Sequence, residues 1–136
     1  MPETSAPRHR LPIGQITRTD FVKFAGAGGD FNPMHHDDEF ARAAGFPSVF
    51  AMGMLTASLA SRLITDWFGL AAVRGFEVRF RAMVWPDEYL AAEGWITSHA
   101  AVDGEARANV EFEVRNEAGE VKISGKAQAA LAPVSP

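Results

Sequence analysis

The residue types best suited to proton transfer in this chain lie close together at positions 30 and 35. Asp30 supplies a carboxylate and His35 an imidazole, and the four residues between them read Phe-Asn-Pro-Met. Because Pro33 fixes its own φ and disfavours helical geometry at Asn32, the segment is predicted to be a stiff loop. Such a loop can bring Asp30 and His35 to the same water molecule, an arrangement that suits acid-base chemistry near neutral pH.

Two short helices are predicted to hold this loop at its two ends. The first begins with a cap at Thr19 and ends in the glycine cluster at residues 26–29. The second covers residues 36–45, which have an acidic first turn, an alanine-rich interior and a terminal glycine. Asp37 and Asp38 are therefore interpreted as acids at the start of a helix.

The longest helical candidate runs from Gly53 to Phe68 and is closed by Gly69. Its side chains are apolar or small almost all round, and only Arg62 and Asp66 look suited to water. A helix of this composition belongs in the middle of a fold, so we expect its other side chains to be buried.

Beyond this helix the pattern switches to the period of β-strands. Apolar and polar residues alternate in residues 76–81, 105–114 and 121–129, and more weakly in residues 89–97. Within residues 121–129, Lys122 falls on the polar side. A run of about four strands without intervening helices favours an antiparallel sheet. We predict an α+β hot-dog fold, in which an antiparallel sheet wraps a long central helix and its open edges favour pairing with a second subunit.

Composition bounds the class of protein. The 136 residues suffice for one domain, predicted at residues 11–131 between a flexible arm (1–10) and a loose tail (132–136). A net charge of -4 without a basic block argues against a nucleic-acid partner. The absence of cysteine excludes disulfides and thiolate chemistry. No apolar stretch reaches the length of a membrane span, and we predict a cytoplasmic protein.

Residues 30–35, followed by Asp37 and by Gly53-Met54-Leu55 at the head of the long helix, resemble the MaoC-like hydratase/dehydratase family, which includes R-specific enoyl-CoA hydratases. The likeness runs from Thr17 through Gly69, with a strand tail to about Leu131. It implies hot-dog dimers that reversibly add water to trans-2-enoyl thioesters of coenzyme A or acyl carrier protein. The product would be an R-3-hydroxyacyl thioester of fatty-acid or related acyl metabolism, formed without a cofactor or metal.

The resemblance also implies roles for particular residues. Asp30 and His35 would be the catalytic pair, with Asn32 and Pro33 supporting the motif. The N–H of Gly53 would bind the thioester carbonyl. The chemistry of helix starts agrees with this last role, since their unpaired N–H groups carry partial positive charge.

Two positions qualify the resemblance. Ser61 matches a family serine near the dyad, whereas the pattern alone shows only a small residue on a buried helix. Met52 stands where many members have histidine, which leaves the acyl substrate open. Several arginines could meet the phosphates of a carrier, although strand arginines more often face solvent: Arg62, Arg74, Arg79 and Arg81.

Three alternatives stay open. Asp30, His35, His36 and Asp37 could bind zinc or iron, although their spacing is not that of helical histidine pairs and Pro33 stiffens the loop. A hot-dog thioesterase would instead release free coenzyme A. The chain could also be the catalytic subunit of a heterodimeric 3-hydroxyacyl dehydratase, inactive until it meets a second hot-dog protein.

Overall fold

A computed structural model describes residues 6–132 of the chain. Residues 1–5 of the predicted arm and residues 133–136 of the predicted tail lie outside the described part. The elements in chain order are β1 Arg8–Gln15, α1 Arg18–Gly28, a 3-10 turn Pro33–His35, α2 Asp38–Ala43, α3 Gly53–Phe68, a 3-10 turn Leu70–Ala72, β2 Val73–Phe80, β3 Tyr89–Val102, β4 Glu105–Asn116 and β5 Val121–Ala130.

The strands form one antiparallel sheet in the order β1-β3-β4-β5-β2, so β1 and β2 are its edges. Helix α3 packs on this sheet, and the inward residues of β3, β4 and β5 complete the core with it. The predicted α+β arrangement of a sheet on one long helix is therefore present. In residues 6–132 no helix has both the length and the hydropathy to cross a membrane.

Helix α3 has the predicted bounds, but its burial is one-sided. Leu55, Leu63 and Ile64 lie in the core, whereas Gly53, Met54 and Ser58 are exposed, with Met54 at 64%. The expectation that all but the charged residues of this helix would be buried is wrong for the single chain. The side of α3 that carries Gly53, Met54 and Ser58 is called its open face below.

The first strand was not predicted, because Arg8, His9 and Arg10 were assigned to a flexible arm. These residues pair with Trp95, Gly94 and Glu93 of β3, so the ordered fold begins before residue 11. Alternation in β1 is broken where Pro12 and Gly14 flank a register shift, as is common on edge strands.

Lys122 corrects the predicted facing of β5. Its side chain is 1% exposed, and both Lys122 and the following Ile123 are buried. An irregularity in the β4–β5 pairing at Val114 and Arg115 interrupts the simple alternation on which the prediction rested. The buried ammonium group is paired with the carboxylates of Glu88 and Glu120.

Gly125 of β5 marks the tightest point of the sheet. A Cβ there would overlap the Phe112 ring and the carbonyl oxygen of Glu77. We expect Gly125→Ala to lower the free energy of unfolding by about 1–3 kcal/mol, since the ring and the strand would have to move. Gly75→Ala is the matched control, because a Cβ at Gly75 meets only Gln128 Cβ at 3.9 Å. Equal urea denaturation midpoints for the two variants would contradict this reading.

Candidate active site

Helix α1 delivers the chain to Asp30. Thr17, two residues before the predicted cap, begins the helix: its hydroxyl accepts a hydrogen bond from the Asp20 N–H, and the Asp20 carboxylate accepts one from the Thr17 N–H. Gly29 ends it in the left-handed region with φ of 72°, and its N–H donates to the Ala25 carbonyl. The path into Asp30 is thus defined by caps at both ends of α1.

The segment after Asp30 is a single 3-10 turn, a tighter structure than the predicted loop. Asn32 precedes the turn with its side-chain oxygen accepting the Met34 N–H at 3.0 Å, and Pro33 occupies the first position. Asp30 Oδ1 accepts the Asn32 N–H at 3.3 Å. Asn32 and Pro33 therefore shape the backbone between the two predicted catalytic side chains.

The structure brings Asp30 and His35 together. His35 Nε2 lies 3.7 Å from Asp30 Oδ2, with the side chains 11% and 44% exposed respectively. This separation is too long for a direct hydrogen bond but allows one water molecule to bond to both atoms. The pair is thus placed to exchange protons with one bound water.

The carbonyl of Phe50 sets the orientation of the His35 ring. It lies 2.7 Å from His35 Nδ1, and the Phe50 ring contacts the imidazole edge-on at a centroid distance of 5.3 Å. Because a carbonyl oxygen can only accept, Nδ1 carries a proton, and in the neutral ring Nε2 is free to accept one. In the sequence Phe50 is recognisable only as part of a connection, since every residue has a carbonyl and no residue type signals this role.

Helix α2 anchors the far side of the turn. The Asp37 carboxylate accepts the N–H groups of Glu39 and Phe40, which confirms it as a helix-start acid. Asp38 also lies in the first turn of α2, as predicted. Its carboxylate accepts the Val49 N–H and pairs with Arg18, and these contacts hold the pKa of the carboxyl below the ordinary value. Asp38 thereby ties α2 to the segment that leads to Phe50.

Gly53 and His35 border two different depressions of the surface. His35 borders an apolar hollow of about 340 Å³ with Phe31 and residues of α1. Gly53 borders one of about 350 Å³ with Phe50, Phe80 and other residues. Within the single chain, Phe50 therefore lies between the dyad and the predicted carbonyl-binding N–H.

Phe80 lies close to the start of α3. A Cβ at Gly53 would lie 3.1 Å from the Phe80 ring, so a larger residue at the first position of α3 would require that ring to shift by a few tenths of an ångström. Phe80 itself is 54% exposed at the end of edge strand β2. Its ring thus forms an outer wall beside the helix start.

Ser61 is not joined to the dyad by any hydrogen bond of the described residues. Its hydroxyl donates to the Ser58 carbonyl at 2.6 Å, within its own helix. The metal alternative also receives no geometric support in residues 6–132, where no three histidine or carboxylate side chains converge on one point. Asp37 in particular is turned toward the start of α2.

Comparison with known proteins identifies the family and several relatives of this chain. The family described as MaoC like domain matches residues 3–120. The enoyl-CoA hydratase ChsH3 of Mycobacterium tuberculosis is 39% identical over 70 residues, which cover 49% of this chain and 24% of the relative. A mitochondrial 3-hydroxyacyl-[acyl-carrier-protein] dehydratase of Solanum lycopersicum, FERN, is 28% identical over 94% of this chain and 82% of its own length.

The chain spans about a quarter or less of the first three curated relatives that it matches. Its fold is covered more completely by solved structures. The R-hydratase PhaJ1 of Pseudomonas aeruginosa superposes with a TM-score of 0.80 at 25% identity, over 97% of this chain and 90% of that one. This likeness confirms the predicted hot-dog fold, and the match over residues 3–120 shows that the chain belongs to the MaoC-like domain family.

Proposed function

We propose that this protein reversibly hydrates trans-2-enoyl thioesters to R-3-hydroxyacyl thioesters. The observation that carries the proposal is the Asp30–His35 pair, whose facing atoms are 3.7 Å apart and can share one water molecule. Relatives named as enoyl-CoA hydratases and 3-hydroxyacyl-[acyl-carrier-protein] dehydratases support the same reaction class.

The reaction needs what this site can offer. The oxygen of water adds to C3, one of its protons passes to the dyad, and C2 receives a proton from the dyad, so that one water is added overall. Asp30 and His35 act as a coupled pair in these transfers. The His35 tautomer supports the pair's role as proton acceptor, because the Phe50 carbonyl leaves Nε2 without a proton in the neutral ring.

Negative charge that develops on the thioester oxygen needs a hydrogen-bond donor to stabilise it. We assign this role to the Gly53 N–H. Gly53 is the first residue of α3, where N–H groups lack partners within the helix and the helix dipole is positive. Phe50 and Phe80 flank this position, so the acyl group would pass between aromatic rings. The proposed chemistry requires no metal or organic cofactor, and coenzyme A or acyl carrier protein enters as part of the substrate.

We propose a homodimer as the working unit. The open face of α3 leaves Met54 64% exposed, and edge strand β2 carries Phe76 and Phe80 at 37% and 54% exposure. An unpaired strand edge beside exposed apolar side chains is the situation that pairing with a second copy resolves. A different hot-dog subunit would cover the same surface in the heterodimer alternative, and the predicted cytoplasmic location stays a prediction.

The decisive experiment is a hydration assay on crotonyl-CoA and longer enoyl-CoAs. Loss of the enoyl absorbance and chiral analysis showing the R-3-hydroxyacyl product are expected. Release of free coenzyme A without hydration would instead establish the thioesterase alternative. Inactivity of the pure chain, relieved by a second hot-dog protein, would establish the heterodimer alternative.

Asp30→Asn and His35→Gln are each expected to lower turnover by at least roughly 100-fold, because each removes one proton-transfer group from the shared water. Thermal unfolding should show that both variants remain folded. His99→Gln serves as the control, since His99 is an exposed histidine on β3. Near wild-type turnover in either dyad variant would reject the assignment.

Light scattering after gel filtration is expected to give the mass of two chains for the wild type. Met54→Lys places a charge on the open face of α3 and is expected to shift the protein toward a monomer. Leu70→Lys is the control, because Leu70 is 81% exposed but follows the opposite end of the helix. A fully active wild-type monomer would contradict the dimer.

A chelation experiment separates the proposal from the metal alternative. Activity is expected to survive dialysis against EDTA, and elemental analysis should show no stoichiometric metal, because proton transfer by the dyad does not depend on an ion. Loss of a bound metal together with activity, and recovery of both on adding zinc or iron, would favour the loop as a metal site.

A further inference from the structure

The segment that precedes α3 carries both halves of the proposed chemistry. Phe50 presents the carbonyl that accepts the His35 Nδ1–H, and Gly53, three residues later, presents the proposed carbonyl-binding N–H. Residues 50–52 lie outside every helix and strand. Their position must therefore be set by contacts with other parts of the chain.

The loop between β2 and β3 supplies these contacts. The Ala51 N–H donates to the Val84 carbonyl at 2.9 Å, and the Phe50 and Trp85 rings meet edge-to-face at 6.1 Å. Ala51 and Val84 are both buried. The segment that orients His35 thus rests on residues 84 and 85 of this loop.

Two charged side chains hold that loop in place. Lys122 Nζ donates to the Met83 carbonyl at 2.8 Å, and Glu88 Oε1 accepts the Trp85 N–H at 2.7 Å. These two backbone groups flank Val84 directly. Glu88 and Lys122 bond to each other at 3.0 Å, and Asn116 donates to the second oxygen of Glu88 at 2.7 Å.

The surroundings fit a fixed carboxylate. Burial acts to raise the pKa of Glu88, but the hydrogen bonds from Trp85, Asn116 and Lys122 outweigh it and leave the pKa below the ordinary value. Glu88 is therefore ionised at neutral pH. Its neighbour Asp87 has a φ of 70°, in a region unusual for a residue with a side chain, so the loop conformation depends on such contacts.

We propose that Glu88 and Lys122 are positioning residues of the active site, which act through residues 83–85 on the Phe50 carbonyl and so on the tautomer and orientation of His35. A buried ion pair often stabilises a fold no more than an apolar pair of similar size. Here it supplies something that an apolar pair cannot, namely partners for the Met83 carbonyl and the Trp85 N–H. This inference rests on the proposed function and deepens it.

The chain offers a matched pair of variants to test it. Glu88→Gln and Glu120→Gln each neutralise one carboxylate that pairs with Lys122. Only Glu88 also bonds to the Trp85 N–H, whereas Glu120 has a 56% exposed side chain. If Glu88 is a positioning residue, the two variants should differ in the state of His35 and in turnover. If the effect comes only from a weakened pairing of the buried lysine, the two variants should behave alike.

The first readout is the His35 tautomer, measured by nitrogen-15 NMR of the labelled full chain at a pH where the ring is neutral, with His35→Gln to assign the signal. The wild type and Glu120→Gln are expected to show a proton on Nδ1, and Glu88→Gln a mixture of both tautomers. The second readout is turnover. We expect kcat of Glu88→Gln to fall by about tenfold or more with little change in KM, as slight misplacement of reacting groups does.

These readouts separate the possible failures. An unchanged tautomer in Glu88→Gln, with kcat within about twofold of Glu120→Gln, would overturn the positioning role while leaving the proposed hydratase intact. If the wild type does not hydrate enoyl thioesters, the proposed function fails, and the tautomer comparison still decides whether Glu88 orients His35.

A folding failure would not leave the question undecided. If Glu88→Gln does not fold, the double variant Lys122→Met/Glu88→Gln takes its place. It removes both charges together and so leaves neither one buried without a partner. The wild type adds an independent measurement, hydrogen exchange at Ala51 and Trp85. A shared opening predicts protection factors that agree within about threefold, and an Ala51 amide much less protected than Trp85 would contradict the proposal.

Discussion

The hydrogen bond from the His35 ring to the Phe50 carbonyl is the contact on which the site depends. It is 2.7 Å long and joins a 3-10 turn near the start of the chain to the entrance of the central helix. One contact therefore fixes the proton on Nδ1, the direction of Nε2 toward Asp30 and the distance between the turn and α3. The rest of the local structure, from the caps of α1 to the hydrogen bond between Asp38 and Val49, holds the turn and the helix entrance in their relative positions.

The fold supports this contact from two sides. Helix α3 is buried against the sheet by residues such as Leu63 and Ile64, and this fixes the helix start in space. The loop between β2 and β3 reaches across to Ala51 and completes the support. The open face of α3 has no such cover within one chain, and the proposed dimer would supply it.

Sequence patterns predicted the features that depend on local order. The bounds of α3 follow from its composition and Gly69, and the closeness of Asp30 to His35 follows from five residues of separation around Pro33. Contacts between distant segments left no such trace. The Phe50 carbonyl has no residue signature, and the burial of Lys122 depends on an irregularity in strand pairing that alternation does not reveal.

The two rims of the sheet differ in a way that bears on assembly size. On the β1 side, Pro12 lacks an N–H to offer and the register shift beside Gly14 distorts the strand, so that rim is a poor template for further strands. On the β2 side residues 73–80 contain no proline, and the register shift there, between Val73 and Gly75, lies at the start of the strand and leaves residues 75–80 in regular pairing. A sheet that can be extended at just one rim cannot grow further once two copies have paired there. This favours a closed pair over an open-ended fibre.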